Sequence, residues 1–247
     1  MRRRRFSRGS SPFRSAPGLV AASALLAALL ASCAAAPVKP APPTEQQARM
    51  LELVSSANPA SKAARMSGRV EISSAKGSVR SAATVAVEGP NKMRAVFRDP
   101  FGMAWFVLVV NEKTVFYAEP DAGKKALSAR RRGVPVNFGV MSAVPEDIIN
   151  NIRPSFDPRE LDGADVSFAE DGLLARWPDR SLELALDQQY RITSAVTRRA
   201  NGGEIRFEYS YGEGTLGVRI NSEMLFEFSR VETLSEAPPA LFEPPAL

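Results

Sequence analysis

Met93-Arg94-Ala95-Val96-Phe97-Arg98, then Asp99-Pro100-Phe101-Gly102, then Met103-Ala104-Trp105-Phe106-Val107-Leu108-Val109-Val110: these residues decide the fold. The first six set Met93, Ala95 and Phe97 on one side and Arg94, Val96 and Arg98 on the other, the period of two that belongs to a strand. The middle four are turn formers, with an aspartate to bond the backbone, a proline to fix one dihedral and a glycine to take a positive one. The last eight are almost wholly apolar and read as a return strand. Two strands on a short turn make a hairpin.

The same pattern extends in both directions. Towards the N-terminus, Val70 and Ile72 alternate with Arg69, Glu71 and Ser73. Lys76-Gly77 turns the chain, and Val79 to Val87 comes back. Towards the C-terminus, Asn111-Glu112 leads into Thr114 to Tyr117. Later runs follow at Asp165 to Phe168, Leu173 to Trp177, Ser181 to Leu186 and Arg191 to Arg199. Asn201-Gly202-Gly203 is a strong hairpin turn into Glu204 to Tyr211, with Leu216 to Ile220 and Met224 to Val231 after it. This gives about eleven strands in an antiparallel meander. Many show a clean polar side, so one face is wet. The other face is too large for a single helix to cover, so it closes on itself or encloses something.

Two helices punctuate the strands. Thr44 caps the first, which carries Met50, Leu51, Leu53 and Val54 at helical spacing and stops at Asn58-Pro59. Pro145, with Glu146 and Asp147 in the first turn, opens the second, which buries Ile148, Ile149 and Ile152. Residues 119–144 read as irregular. They carry Lys124, Lys125, Arg130, Arg131 and Arg132, a run that is either solvated or drawn to an anionic membrane by about 1 kcal/mol per charge.

Ahead of the folded part, Arg2 to Arg5, Arg8 and Arg14 precede an apolar run from Leu19 to Ala31, and Cys33 follows Leu30-Ala31-Ser32. A basic arm, a short apolar core and small residues at its end describe an export signal. An uncleaved membrane anchor is the alternative, although the run is short for the roughly 20 apolar residues a span requires. The expected organisation is a signal peptide over 1–32, a Pro/Ala tether over 33–43, the folded domain over 44–233 and a Pro-rich tail over 234–247. Cys33 is the only cysteine, so no disulfide within the chain holds the domain.

Charge and composition exclude several functions. The chain has 32 basic and 27 acidic residues, and removing the leader with its six arginines leaves 26 against 27. Nucleic-acid binding needs a basic surplus that this balance lacks. The chain contains no histidine, which removes the commonest general base and metal ligand. No phosphate loop, dinucleotide fingerprint or paired-cysteine metal motif is present. The pairs Glu146-Asp147 and Glu170-Asp171 have ordinary structural explanations at a helix start and a turn. No enzyme activity, cofactor or metal is expected.

Several of these residues together resemble the LolA/LolB-like family of envelope lipoprotein carriers and receptors. They are the lipobox ending at Cys33, an opening helix, Gly68-Arg-Val-Glu-Ile at the first strand, Gly89-Pro90-Asn-Lys-Met-Arg before the third, and the Pro100-Phe101-Gly102 turn. The resemblance covers roughly residues 44–233 and implies a mainly β fold, an antiparallel unclosed (half) β-barrel with capping helices and an apolar cavity for acyl chains. It implies acylation of Cys33, with Ala34 after it favouring export to the outer membrane, on its periplasmic side. The cavity lining would include Val70, Ile72, Phe97, Phe106, Leu108, Phe116, Phe207 and Phe226. Phe101 and Met103 would form a membrane-facing loop, unless Phe101 folds back onto the sheet. Implied partners are the membrane through the lipid anchor, lipid or lipoprotein acyl chains, and a periplasmic carrier that hands cargo over. A rival expectation is an assembly lipoprotein that uses the same shell as a protein-interaction scaffold, its interior filled by its own side chains.

Overall fold

The computed structural model describes residues 44–74, 77–119, 123–137, 141–169 and 171–245. Cys33, the leader and the tether lie outside them. The described residues fall within one compact unit, Ala41–Leu247. Its chain order is α1 (Glu45–Ala57), β1 (Ala63–Ser74), β2 (Gly77–Glu88), β3 (Lys92–Arg98), β4 (Ala104–Val110), β5 (Thr114–Glu119) and β6 (Lys124–Ala129). After these come the short pair β7 (Val136–Asn137) and β8 (Ser142–Ala143), helix α2 (Pro145–Asn151) and a 3-10 turn, Pro158–Leu161. The remaining strands are β9 (Asp165–Ala169), β10 (Gly172–Arg176), β11 (Arg180–Leu186), β12 (Ile192–Arg199), β13 (Glu204–Gly212), β14 (Thr215–Ile220) and β15 (Met224–Leu234). A last 3-10 turn spans Pro239–Phe242.

Thirteen strands form one antiparallel sheet in the order β6-β5-β4-β3-β2-β1-β15-β14-β13-β12-β11-β10-β9. Two meanders, β1 to β6 and β9 to β15, are joined where β1 pairs with β15. The sheet does not close, because β6 and β9 are its two free edges. The chain leaves one edge and returns at the other, so the stretch that carries α2 connects the two lips of the opening. This is the open β half-barrel expected from the sequence. Its thirteen strands exceed the expected eleven or so, and one of the additions is β6, within a polar stretch that read as irregular, which pairs with β5 along its whole length. All six residues of β6 are exposed, so it lacks the apolar alternation that marks a strand in a sequence.

The inner face holds the main core. Phe97 stacks on Phe106 with centroids 4.9 Å apart, Phe226 stacks on Phe228 at 5.3 Å, and Phe97 meets Phe226 at 5.9 Å. Ile148, Ile149 and Ile152 of α2 and its exit join the same cluster. Each buried isoleucine contributes about 1.5–3 kcal/mol relative to an exposed one.

Two local features shape the sheet. Between Ser67 and Gly68 the β1–β15 register shifts, and a Cβ on Gly68 would lie 2.0 Å from the Glu227 carbonyl oxygen, so only glycine fits the bulge. A second bulge sits at Trp105: Phe97 pairs with Phe106 and Arg98 with Ala104, leaving Trp105 as the extra residue. Its indole Nε1 donates to Ser81 Oγ at 2.8 Å.

Helix α1 starts with a reciprocal cap. Gln47 N donates to Thr44 Oγ1, and Thr44 N donates to Gln47 Oε1 at 2.8 Å. Of its expected apolar stripe, Val54 is buried, Leu51 packs against the core and Leu53 is exposed. The C-terminal tail does not extend the sheet. It folds back so that Ala237 and Phe242 pack on Ala63 and Ala86, a separate cluster from the main core.

Candidate functional site

Three places in the structure have functional potential: the inner apolar face, the turn between β3 and β4, and a charged cavity beside α2.

On the inner face, Phe97, Phe106, Leu108 and Phe226 surround a void of only about 30 Å³, together with Ile148 of α2 and Ile152 just after it. That holds a water or two, whereas ligand pockets run to about 300–1,000 Å³. Val70, Ile72 and Phe207 belong to the same packed cluster but do not line the void. Phe116, expected in the cavity lining, lies on the other face of the sheet with Val109 and Ala118. The register explains this: Val110 pairs with Val115 and Leu108 with Tyr117, which places Val115 and Tyr117 inward and Phe116 outward.

Helix α2 therefore fills the half-barrel over β3, β4, β14 and β15, and arginines fix it there. The Arg199 guanidinium grips Asp147 through Nε to Oδ2 at 2.8 Å and Nη2 to Oδ1 at 2.7 Å. That bond to Asp147 raises the Arg199 pKa against the opposing effect of burial. Arg130 bonds Glu146 Oε1 at 2.8 Å and the main-chain oxygens of Asn91 and Asn111, tying the helix start to the rim beyond β3 and β4. With its side chain 3% exposed, Arg130 is no part of a solvated run, because four acceptors draw it inward. Arg153 donates to Ser61 Oγ and to the Ser61 carbonyl oxygen. Tyr209 Oη of β13 donates to the Asn151 carbonyl oxygen at 2.6 Å, and burial pushes this phenol well above its ordinary pKa.

Asn58 couples α1 to the same region. Its Nδ2 donates to the Val54 and Tyr190 carbonyl oxygens, both at 2.8 Å, and its Oδ1 accepts from Ile192 N at 2.9 Å. It is 98% buried with all its side-chain polar atoms bonded, as a buried amide must be.

The β3–β4 turn is rigid and greasy. Asp99 Oδ1 accepts from Phe101 N and Met103 N, each at 2.9 Å, and Gly102 takes φ +86°. Phe101 is 90% exposed and Met103 64%. Val79, also exposed, lies near the start of β2 on the same rim, since Ala82 pairs with Arg98 three residues before the tip. The Asp99 turn holds Phe101 in solvent rather than back on the sheet. Large exposed apolar side chains grouped on one rim mark a contact surface.

The charged cavity, of about 490 Å³, opens beside α2 against β11–β13. Arg132, Arg153 and Arg180 line it, as do Glu160, Asp179, Trp177 and the apolar Leu182, Leu184 and Ile192. Burial lowers the Arg153 pKa, with Glu160 pulling the other way. Burial raises the Glu160 carboxyl and Asp157 adds to the effect, while Arg153 and Arg180 oppose it; much of Glu160 faces water, which screens these influences. Neither this cavity nor the roles of the arginines that hold α2 were legible in the sequence, where the charges are scattered over residues 130–199 without a motif. Among the described residues no cluster of His, Cys, Asp and Glu could hold a metal ion, and no helix is long and apolar enough to cross a membrane.

No protein-family model and no curated protein sequence matches the chain. Solved structures do. A putative outer membrane lipoprotein-sorting protein domain from Vibrio parahaemolyticus is 9% identical, with 78% of this chain and 94% of that one covered and a TM-score of 0.43. A LolA superfamily protein from Nitrosomonas europaea is 11% identical, with 80% and 97% covered and a TM-score of 0.46. A DUF1329 family protein from Desulfovibrio piger is 8% identical, with 81% and 98% covered and a TM-score of 0.49. Two of these three belong to the lipoprotein-sorting and LolA group that the sequence resembles. At such identities and TM-scores, none of them carries a function over to this chain.

Proposed function

We propose that this is a non-enzymatic lipoprotein, anchored through Cys33 on the periplasmic side of the outer membrane, that takes aliphatic chains of lipids or lipoproteins into its half-barrel. In this reading α2 is a plug. Withdrawing it would uncover Phe97, Phe106, Leu108 and Phe226 and leave room for an acyl chain, each buried methylene of which contributes about 0.8 kcal/mol. Cargo would arrive from a soluble carrier and leave for the bilayer by differential burial, with no covalent step.

The observation that carries the proposal is Phe101, 90% exposed on a turn that Asp99 holds rigid. A phenylalanine presented to water in this way gains free energy by entering a membrane surface. The experiment is vesicle flotation of the chain lacking its anchor, with Phe101→Glu beside the parent. Weaker association at unchanged melting temperature supports the reading, and equal association contradicts it.

The packed interior around Phe97, Phe106 and Phe226 favours a second reading, a scaffold lipoprotein that carries no ligand. Protein purified from membranes distinguishes the two, because a carrier brings bound lipid visible by mass spectrometry and a scaffold brings none.

A further inference from the structure

The cavity beside α2 holds charges for which the apolar interior has no use. Arg130 and Arg199 are neutralised by Glu146 and Asp147. Arg132, Arg153 and Arg180, which line the cavity, have no carboxylate within ion-pair distance among the described residues. Arg153 uses Nη1 and Nη2 on Ser61 alone. Arg180 rests on the face of Trp177, 4.5 Å from the ring centroid, and its N–H groups donate to no described side chain. Glu160 acts on Arg153 and Arg180 without a direct ion pair, and an arriving anion in contact with these half-buried guanidiniums relieves them further.

The other walls narrow the ligand class. Leu182, Leu184 and Ile192 give the cavity an apolar side suited to an aliphatic tail. Glu160 and Asp179 carry no ion pair either, so a bare anion would meet repulsion as well as attraction. A head with a cation beside its anion meets both sets of charges. The volume of about 490 Å³ lies within the usual range for small-molecule sites.

We infer that this cavity binds a zwitterionic phosphate amphiphile, its phosphate on Arg153 and Arg180, its ammonium towards Glu160 and Asp179, and its aliphatic tail along Leu182 and Leu184. The site lies on the inner face over β11–β13 and goes beyond the acyl-chain reading behind α2, since it selects a headgroup and needs no movement of α2.

The test is calorimetric titration of the full chain in detergent-free buffer with three probes. They are a single-chain phosphoethanolamine lipid below its micelle concentration, phosphoethanolamine without a chain, and a monoacylglycerol of the same chain length. The lipid should bind at least about tenfold more tightly than either fragment. Arg180→Gln should weaken lipid binding about tenfold without changing the melting temperature or the binding of the monoacylglycerol. Adding Arg153→Gln should weaken it further. Phosphoethanolamine binding as tightly as the lipid would overturn the amphiphile assignment, and monoacylglycerol binding as tightly would overturn the headgroup site. Unchanged lipid affinity in Arg180→Gln would also overturn it. Failure here leaves the interior reading standing, because an acyl chain behind α2 needs no charged head.

Discussion

Arg199 at the end of β12 and Asp147 in the first turn of α2 meet in a two-bond clamp, 2.8 and 2.7 Å, with both side chains almost entirely buried. The clamp fixes α2 to β12 of the sheet. Removing Asp147 strands a buried guanidinium, so Asp147→Ala should lower stability by about 3–5 kcal/mol. Urea denaturation measures this, and a change under about 1 kcal/mol would mean that the helix is held by its isoleucines alone.

Asn58 is bonded to the end of α1, the Tyr190 carbonyl and the start of β12. Asn58→Ala leaves the buried Ile192 N–H without its acceptor, an expected loss of about 1–3 kcal/mol. Hydrogen exchange at Ile192 should rise in the variant. Protection there equal to the parent's would show that water replaces the amide at no cost.

The phenols of Tyr209 and Tyr211 titrate late. Burial raises Tyr211 to about 12 and Tyr209 well above the ordinary value, and Tyr211 Oη donates to the Ile192 carbonyl oxygen at 2.6 Å. A folded-state pKa above the unfolded one means that their stabilisation is fully present below pH 10. It is lost as pH rises through the folded values, near 12 for Tyr211. Absorbance at the phenolate band, followed with alkaline pH, should show these two of the four tyrosines ionising only with unfolding. Reversible ionisation of Tyr209 and Tyr211 near pH 10 in the folded protein would contradict this.

Phe242, buried on Ala63 and Ala86, is the anchor by which the tail straps β1–β3 from outside. Asn111 Nδ2 donates to its carbonyl oxygen at 3.2 Å, and Arg94 reaches the Leu241 carbonyl. Phe242→Ala should lower stability by about 3–5 kcal/mol, read from chemical denaturation, with binding in the charged cavity unchanged. A neutral effect would make the tail an ornament on the sheet.

The sheet was legible because most of its strands write their burial into the sequence. Val70 and Ile72 alternate with Arg69 and Glu71, and the Pro100-Phe101-Gly102 turn separates two apolar runs. Strand β6 was not, because an exposed edge demands no apolar residue and Lys124 to Ala129 has no inward face. Phe116 was misplaced because alternation alone does not say which of Val115 and Phe116 points inward; the pairing of Val109 with Phe116 across the hairpin does. The plug was half legible. Ile148, Ile149 and Ile152 marked a buried helix, but a sequence does not reveal that the helix fills the space in which a ligand was expected. The arginine contacts that hold α2 join residues as far apart as 92 positions, a distance over which no local pattern speaks.

The central claim is that α2 occupies the place of an acyl chain. Hydrogen exchange of the full chain, with and without a saturating fatty-acyl probe, tests it most directly at the amides from Ile148 to Ile152. The account predicts stoichiometric binding of the probe together with faster exchange across α2, as the helix gives up its place against Phe97, Phe106 and Phe226. Binding that leaves α2 fully protected, or no binding at all, would contradict it.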